Sequence, residues 1–598
     1  MKNIYRIICL TLIVGFSSCE KFLDRPPKTE ENDDTAWASE ENVRLYATQY
    51  YPSLFPGYGT GFTTTGAPFM SATHTDDVFT LGNQSNFTRA VPNSSEWSYT
   101  QVRSMNILID RVQNRMAGIL EPEQQAHWLG VGRFLRGYRY STLVLSYGDV
   151  PYYDREILDI EEDELFKPRT PRNEVMDAVY DDLVYAMENV RLNDGDQQIN
   201  RYVVAGFVSR IALYEGAWQK YYYNNQERAR KFLNLALDAG NMVIASGRYD
   251  IVTDYKSLFT SNALSGNRDC ILYRNYDAAV GVTHSIASNV NLEASVNLGP
   301  TSDLLKSYIC TDGAVWQNSS LTNTDDFKIG NLIRTRDSRL EATFYSKPEP
   351  LGRSSLLYVT KFLPREVENI KRVQNLPMPP AFTSDRNETD FPVLRYAEVL
   401  LNWIEAKAEL ATLGGGAVTQ EDIDRTINKI RDRPLAAEAV SRGVAKTAHL
   451  ALNNLPVDPA RDAAVSALIW EIRRERRMEF AFETNRLDDL KRWKKLNYMD
   501  TDENPDLLSG GWVDFPAELP SELRTGLSVV DLDGNQTVYD GSNDVDMKGF
   551  YRSTGTNGRL PYLGLPNVNP YLTPLGRSQF DFYEFRGYVL TQTEGWGD

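Results

Sequence analysis

Apolar residues recur at the spacing of an α-helix along two long parts of the chain, about residues 104–255 and 392–495. In residues 104–118, for example, Leu108 and Val112 lie four positions apart and share one face of the helix. The pattern therefore predicts a mainly α chain. The predicted helices cover residues 104–118, 123–147, a stretch that begins at Pro171, 201–219, 226–246, 394–413, 421–433 and 467–493.

The predicted helix at 123–147 contains three glycines, which would weaken it in isolation. They are Gly130, Gly132 and Gly137. We expect them to allow a neighbouring helix to approach closely.

Residues 467–493 predict one long helix that carries charges of both signs among apolar residues. Leu468 and Ile472 share a face, and Glu471 can pair with Arg474 at three-residue spacing, as Arg476 can with Glu479. A charge run of this kind, taken alone, indicates a solvated helix with salt bridges. The order of the residues is more specific, because it closely resembles the late signature of the SusD/RagB family. The matching residues are Glu475, Arg476, Arg477, Glu479, Phe480, Glu483, Arg486, Asp489, Leu490, Arg492 and Trp493.

That family consists of surface lipoproteins of Bacteroidetes-type bacteria that capture nutrients, usually glycans, for an outer-membrane transporter. Other blocks resemble it too, whereas residues 562–566 match its closing element only loosely. The matching blocks are 19–24, 133–151, 171–183, 394–409 and 427–433. The resemblance implies a scaffold of four degenerate repeats of the tetratricopeptide type, although the sequence shows no clean internal repeat. We expect the charged motif residues Glu398, Glu405, Arg476 and Glu479 to satisfy one another and helix ends.

Three parts of the chain, about residues 55–101, 256–390 and 497–598, lack helical periodicity and are rich in loop-forming residues. The resemblance implies that such insertions form the binding face. Asp533-Gly534 predicts a hairpin, although Asp-x-Asp-Gly also occurs in calcium loops. Cys270 and Cys310 are either one disulfide or two buried thiols.

The N-terminus predicts a lipoprotein. Residues 1–18 combine a basic start with a short apolar segment, as in a signal peptide, and the small residue before Cys19 is typical of a lipidation site. An ordinary signal peptide cut elsewhere is the alternative. Residues 19–35 are polar and acidic and would form a lipidated tether, which leaves 36–598 as a single domain.

The formal net charge of the 598 residues is −17, which argues against nucleic acid and against an anionic membrane surface as partners. No apolar run after the leader is long enough to span a bilayer. The four histidines show no metal-binding or catalytic spacing, so neither a zinc site nor a cofactor is expected.

Aromatic residues on polar loops are better candidates for sugar binding than aromatic residues on helix seams, because a flat ring can cover the C–H face of a sugar. Carboxylates and guanidinium groups nearby would bind hydroxyls. The candidate ligand-binding residues are Tyr58, Phe62, Asp76, Asp77, Arg89, Trp97, Tyr99 and Trp316.

These observations favour a non-catalytic, lipid-anchored glycan-binding protein on the exterior of the outer membrane. The resemblance implies that it passes its oligosaccharide to a SusC-like TonB-dependent transporter. One alternative is a surface glycosidase that uses Asp76-Asp77 or Glu161-Glu162 as paired carboxylates. A second alternative is a family member that binds peptides.

Overall fold

The computed structural model describes residues 36–62, 72–79, 82–84, 87–293, 298–351, 355–553 and 556–597. The predicted signal peptide, Cys19 and the tether at 19–35 lie outside these ranges. The architecture is mainly helical, as predicted. We number the helices of eight or more residues α1 to α11 in chain order. They are α1 Glu40–Thr48, α2 Thr100–Asp110, α3 Pro122–Tyr147, α4 Arg172–Asn189, α5 Arg201–Tyr221, α6 Gln226–Ala245, α7 Arg365–Arg372, α8 Tyr396–Ala411, α9 Ala467–Glu479, α10 Asn485–Arg492 and α11 Arg577–Phe585.

Shorter helices fill the connections. The α-helical ones are Tyr51–Leu54, Glu162–Leu165, Ser257–Thr260, Ile286–Val290, Ser302–Ser307, Ile329–Thr335, Arg339–Thr343, Gln420–Ile423, Lys429–Arg431, Ala437–Ser441 and Phe515–Glu518. Two segments are π-helical: Arg111–Arg115 continues α2, and Asp424–Asn428 joins Gln420–Ile423 to Lys429–Arg431. The strands are β1 Val78–Phe79, β2 Gly82–Gln84, β3 Cys270–Arg274, β4 Gly299–Pro300, β5 Phe391–Arg395, β6 Trp512–Asp514, β7 Ser528–Val530, β8 Gln536–Val538, β9 Lys548–Arg552 and β10 Thr556–Arg559. They form three pairs, β1–β4, β2–β10 and β3–β5, and one four-stranded sheet in the order β6-β9-β7-β8.

The first helical part forms a continuous scaffold in which α2 packs on α3, α3 on α4, and α5 on α6. The predicted close approaches are confirmed, since a Cβ on Gly130 would meet Val190 at 2.7 Å and one on Gly132 would meet Ile109 at 2.9 Å. Helix α8 packs against α6 and α9, so both helical parts contribute to one large core.

The single helix predicted at 467–493 is wrong, because α9 ends at Glu479 and α10 begins only at Asn485. Phe480 packs into the large scaffold core, whereas Phe482 packs into a second core formed mainly by residues 255–367. The turn places Phe482 at φ +61°, a conformation that costs about 1–2 kcal/mol for a residue with a Cβ.

The predicted start of the helix at 394 is also wrong. Residues Leu394 and Arg395 belong to β5, which pairs with β3, and the helix starts at Tyr396. An apolar run that crosses a strand–helix junction keeps its hydrophobicity but changes its period, which the helical pattern alone did not reveal.

The loop-rich parts contain short elements around the second core. The predicted hairpin is confirmed, since β7 pairs antiparallel with β8 around Gly534. The Asp531 carboxylate accepts hydrogen bonds from the backbone N–H groups of Asp533 and Asn535, so it stabilises the turn. Cys270 and Cys310 are two buried free thiols. Of the helices in the described ranges, none combines the length and the apolarity that crossing a membrane requires.

Buried ion pairs join α9 to the rest of the molecule. Arg476 pairs with Glu405 at 3.3 Å, as expected, and Glu471 with Arg474 at 3.1 Å. The predicted pair of Arg476 with Glu479 is wrong, because Glu479 instead contacts three arginines from distant segments. These are Arg339, Arg395 and Arg433.

Candidate functional site

The predicted ligand-binding residues do not form one site. Tyr58 is 1% exposed and packs in the second core against the rings of His284 and Phe391, which makes it a structural residue. Phe62 is exposed and Arg89 is half-buried, and neither lines either of the two clefts described next.

Asp76 and Asp77 are buried and ion-paired with two arginines of the signature itself. Arg486 donates to both carboxylate oxygens of Asp76, at 2.8 and 2.6 Å, and Arg477 Nε donates to Asp77 at 2.7 Å. Burial opposes ionisation of Asp76, but Arg477 and Arg486 outweigh it and hold its pKa below the ordinary range. Burial raises the pKa of Asp77 against the attraction of Arg477. Asp76 therefore lines a cleft together with Arg477 and Arg486, whereas Asp77 does not line it.

This cleft encloses about 700 Å³, and we call it the large cleft. Helix α9 supplies Trp470, the segment after α10 supplies Tyr498, and the loop after Cys310 supplies Trp316. All three rings are half-buried, so each has an accessible part. The centroids of Trp470 and Tyr498 lie 6.3 Å apart with their planes at 74°. The arrangement provides differently oriented ring surfaces within one concave site.

Polar groups fix Trp470 and Tyr498 in place. Trp470 Nε1 donates to Asp458 at 2.7 Å, and Tyr498 Oη donates to Asp462 at 2.6 Å. Asp462 also pairs with Lys495 at 2.5 Å. Each ring therefore has a defined orientation before any ligand arrives.

Two carboxylates of the large cleft, Asp458 and Asp462, are held in the ionised form. Burial opposes ionisation of Asp458, but Arg474 and the Trp470 N–H outweigh it, so its pKa lies below the usual range. Burial likewise opposes ionisation of Asp462, yet hydrogen bonds from Lys495 and Tyr498 lower its pKa to about 2. Both groups act as hydrogen-bond acceptors at neutral pH.

Further charged pairs line the large cleft. Lys306 contacts both oxygens of Asp506 at 2.7 Å. Asp303 accepts from Arg477 at 2.6 Å and from Asn504 at 3.0 Å. The lining thus contains fixed donors and acceptors, which suits a ligand with many hydroxyl groups.

Trp97 and Tyr99 line a different cavity, of about 420 Å³, which we call the aromatic groove. Trp97 is 9% exposed and lies under the guanidinium of Arg169, 5.2 Å from its ring. Tyr99 Oη donates to Pro151 O at 2.9 Å. The structure therefore separates Trp97 and Tyr99 from Trp316, and the prediction that each of them contacts a ligand stays a prediction.

Sequence reasoning missed Trp470, because its segment is interpreted as scaffold. It also missed Tyr498, which lies in the loop-rich part at 497–598 but is not among the candidate residues. A signal was present, since Trp470 lies between Leu468 and Ile472 and therefore off the apolar face that these two residues define. A large aromatic residue on the polar side of a charged helix marks an exposed ring.

Two family models match this chain. One, described as the SusD family, matches residues 377–563, and the other, described as starch-binding and associating with the outer membrane, matches residues 21–213. The first match contains β5 and helices α8 to α10, and the second contains α1 to α4 and the first part of α5.

Curated relatives and solved structures agree with these matches. A SusD-like protein of Formosa agariphila is 25% identical over 374 residues, which cover 61% of this chain and 64% of the relative. Another from that organism is 23% identical over 263 residues, 43% of this chain and 48% of the relative. The chain thus spans less than two thirds of the length of these relatives. The crystal structure of a SusD-like carbohydrate binding protein from Bacteroides fragilis is similar to this structure with a TM-score of 0.60, at 18% identity, over 92% of this chain and 99% of that one.

Proposed function

Because this chain belongs to the SusD-like family, we propose that it is a cell-surface lipoprotein that binds a glycan in the large cleft and delivers it, without catalysis, to a SusC-like TonB-dependent outer-membrane transporter. The observation that carries the proposal is the set of three half-buried rings, Trp316, Trp470 and Tyr498, within one polar cleft. The description of the Bacteroides fragilis protein as a carbohydrate binding protein supports the ligand class.

The geometry suits an oligosaccharide. A sugar ring has an apolar C–H face that packs on an aromatic ring, and such a contact contributes on the order of 1 kcal/mol beyond the area that it buries. The hydroxyls at the edge of the sugar would meet groups already held by ion pairs, such as Asp458 and Lys306. Because these side chains are already ordered, binding costs little side-chain conformational entropy.

The protonation states of Asp458 and Asp462 favour binding over glycoside hydrolysis in the large cleft. A glycosidase needs one carboxylic acid that keeps its proton near neutral pH, and such a group has a raised pKa. In the large cleft, Asp458 and Asp462 have lowered pKa values. The Asp76-Asp77 pair is buried, and Glu161 is ion-paired with Arg155, which together with the backbone of Leu158 lowers its pKa to about 2.

The lipid anchor and the transporter complete the proposal. The signal peptide and Cys19 of the sequence, together with a family model described as associating with the outer membrane, support attachment at that membrane. A protein held at the surface raises the concentration of its ligand beside a transporter. This role requires binding alone and no catalysis by the protein.

A native affinity gel with plant, microbial and host polysaccharides, followed by calorimetry of the purified protein, tests this function. We expect binding to one glycan class, weakened about tenfold or more by Trp316→Ala or Trp470→Ala. Phe585→Ala is the matched control, because this ring is 86% exposed and lies outside the large cleft. Binding to peptides alone would overturn the ligand class, and release of reducing sugar from a bound glycan would overturn the non-catalytic role.

A further inference from the structure

A third cavity, of about 410 Å³, lies where the loop between α4 and α5 meets the segments after α6 and before β3. We call it the polar cleft. It shares no lining residue with the large cleft or the aromatic groove in the described part of the chain. The residues that matter below are Asp196, Gln198, Arg248, Tyr249, Asn267 and Tyr273.

Several polar groups in the polar cleft lack partners within the protein. The Oε1 atom of Gln198 is buried and accepts no hydrogen bond among the described residues. The exposed guanidinium of Arg248 makes neither a hydrogen bond nor an ion pair within the described ranges, and only stacks on the Tyr202 ring at 5.4 Å. Buried polar atoms are nearly always hydrogen-bonded in folded proteins, so the amide oxygen of Gln198 is an acceptor that a ligand in the cavity can use.

Asn267 shows a complementary arrangement. Its Oδ1 atom accepts hydrogen bonds from Thr253 Oγ1 at 3.2 Å and from the backbone N–H of Asp269 at 2.9 Å. The amide is therefore fixed in orientation, and its Nδ2 group donates to no other group in the described part of the chain. The polar cleft thus contains an oriented donor beside an unsatisfied acceptor.

The walls of the polar cleft are rigid. Asp196 accepts hydrogen bonds from Tyr273 at 2.5 Å and from Ser265 at 2.9 Å through one oxygen. Gln197 adopts φ +56°, a conformation sustained by a hydrogen bond from the Asn275 backbone to its side chain at 3.2 Å. A loop held in an uncommon backbone conformation by its surroundings is typical of preformed binding sites.

Aromatic rings complete the cleft. Tyr249 is half-buried between Tyr202 and Tyr396, whose centroids lie 6.1 and 6.2 Å from its own. With Tyr273, it provides ring surface beside a carboxylate, two amides and a guanidinium. This mixture of planar polar groups and aromatic rings is the chemistry that recognises a sugar.

We propose that the polar cleft is a second carbohydrate-binding site, sized for one or two sugar units, with Gln198, Arg248 and Asn267 as its hydrogen-bonding residues and Tyr249 as an aromatic wall. The inference takes only its ligand class from the proposed function. Two sites on one protein would hold separate parts of a single polysaccharide, and the second contact would then form at a high effective concentration.

The test uses the purified protein in which Trp316→Ala and Trp470→Ala together disable the large cleft. Saturation-transfer NMR would measure binding of methyl glycosides of glucose, galactose, mannose and xylose. We expect saturable binding of at least one probe to persist, and to weaken about tenfold when Gln198→Leu or Arg248→Met is added. Arg248 is exposed, so its variant keeps the fold and remains informative if Gln198→Leu does not.

Gln374→Leu and Arg386→Met are the matched controls, since both residues are exposed and line none of the three cavities. Loss of all probe binding in the Trp316/Trp470 double variant would overturn the second site. Probe binding that persists and is not weakened by Gln198→Leu or Arg248→Met would also overturn the second site. The proposed function is tested separately, by glycan binding to the unmodified protein, so the two proposals can fail independently.

Discussion

Arg339 and Glu479 lie 140 residues apart in the sequence, yet Arg339 Nη1 donates a hydrogen bond to the Glu479 carboxylate at 3.0 Å. Both side chains are buried. Arg395 and Arg433 contact the same carboxylate, so three buried cations from separate parts of the chain share Glu479 as a counter-ion. Burial opposes ionisation of Glu479, but these arginines lower its pKa to about 2.

Replacing Glu479 by Gln should destabilise the protein by about 3–5 kcal/mol, because the three arginines would stay buried with one counter-charge fewer. Urea denaturation followed by circular dichroism measures the change. The control is Glu162→Gln, whose partner Arg586 is 2.9 Å away in a half-exposed pair, and which should change stability by less than about 1 kcal/mol. Equal effects of the two variants would contradict this account.

Asp488 should make stability depend on pH. Burial, together with the neighbouring Asp489 charge, raises the pKa of Asp488 to about 6, and Lys491 only partly opposes this. A carboxylate whose pKa is raised on folding favours the folded state most below its unfolded pKa of about 4, and that contribution is lost as the pH rises through about 6.

The variant Asp488→Asn should therefore be more stable than the original protein above about pH 6, by about 1–2 kcal/mol after allowance for partial solvent exposure. The gain should vanish below about pH 4. Urea denaturation of both proteins at several pH values isolates this difference, because all other groups titrate alike in the two. A gain that does not change with pH would contradict the assignment.

Gly206 of α5 faces β5 so closely that a Cβ would meet Leu394 Cδ2 at 2.5 Å. Gly206→Ala should destabilise the protein by about 1–3 kcal/mol through overpacking. Gly330 is the control, since it also lies in a helix but a Cβ added there would meet no atom within 4 Å among the described residues. Gly330→Ala should be neutral or stabilising by up to about 1 kcal/mol in thermal denaturation. If Gly330→Ala destabilised the protein more than Gly206→Ala, the close approach of Gly206 to Leu394 would be refuted.

Trp470→Phe separates the role of the ring from that of the indole N–H. Both Trp470→Phe and Trp470→Ala lose the hydrogen bond to Asp458, but only the first keeps a flat aromatic surface in the large cleft. We expect calorimetry with the bound glycan to show a loss within about threefold for Phe and of about tenfold or more for Ala. If both variants lose binding equally, the ring does not contact the sugar.

Most of the scaffold was predictable because helical periodicity is a local property. The limits of α3 and the pairing of Glu471 with Arg474 follow from spacing alone. The break after Glu479 was not predictable, since neither Gly nor Pro marks it. It depends on two separate cores that receive Phe480 and Phe482, and that separation exists only in the folded molecule.

The candidate site was only partly predictable, for a related reason. Trp316 was identified because it lies on a polar loop, but burial of Asp76 and Asp77 depends on Arg477 and Arg486, about 400 residues further along the chain. Sequence spacing gives no information on such contacts. The same holds for the separation of Trp97 from Trp316, which depends on how the loop at 87–99 packs against α11.

The large cleft has walls from different parts of the chain: Trp470 and Tyr498 lie within residues 377–563, which one family model matches, whereas Trp316 lies outside both matched ranges. Replacement of the loop around Trp316 would leave α9, α10 and their ion pairs intact. Evolution can therefore alter ligand preference on one wall while inheriting the other unchanged. In this way one helical framework can carry different binding surfaces without a change in the residues that stabilise its fold.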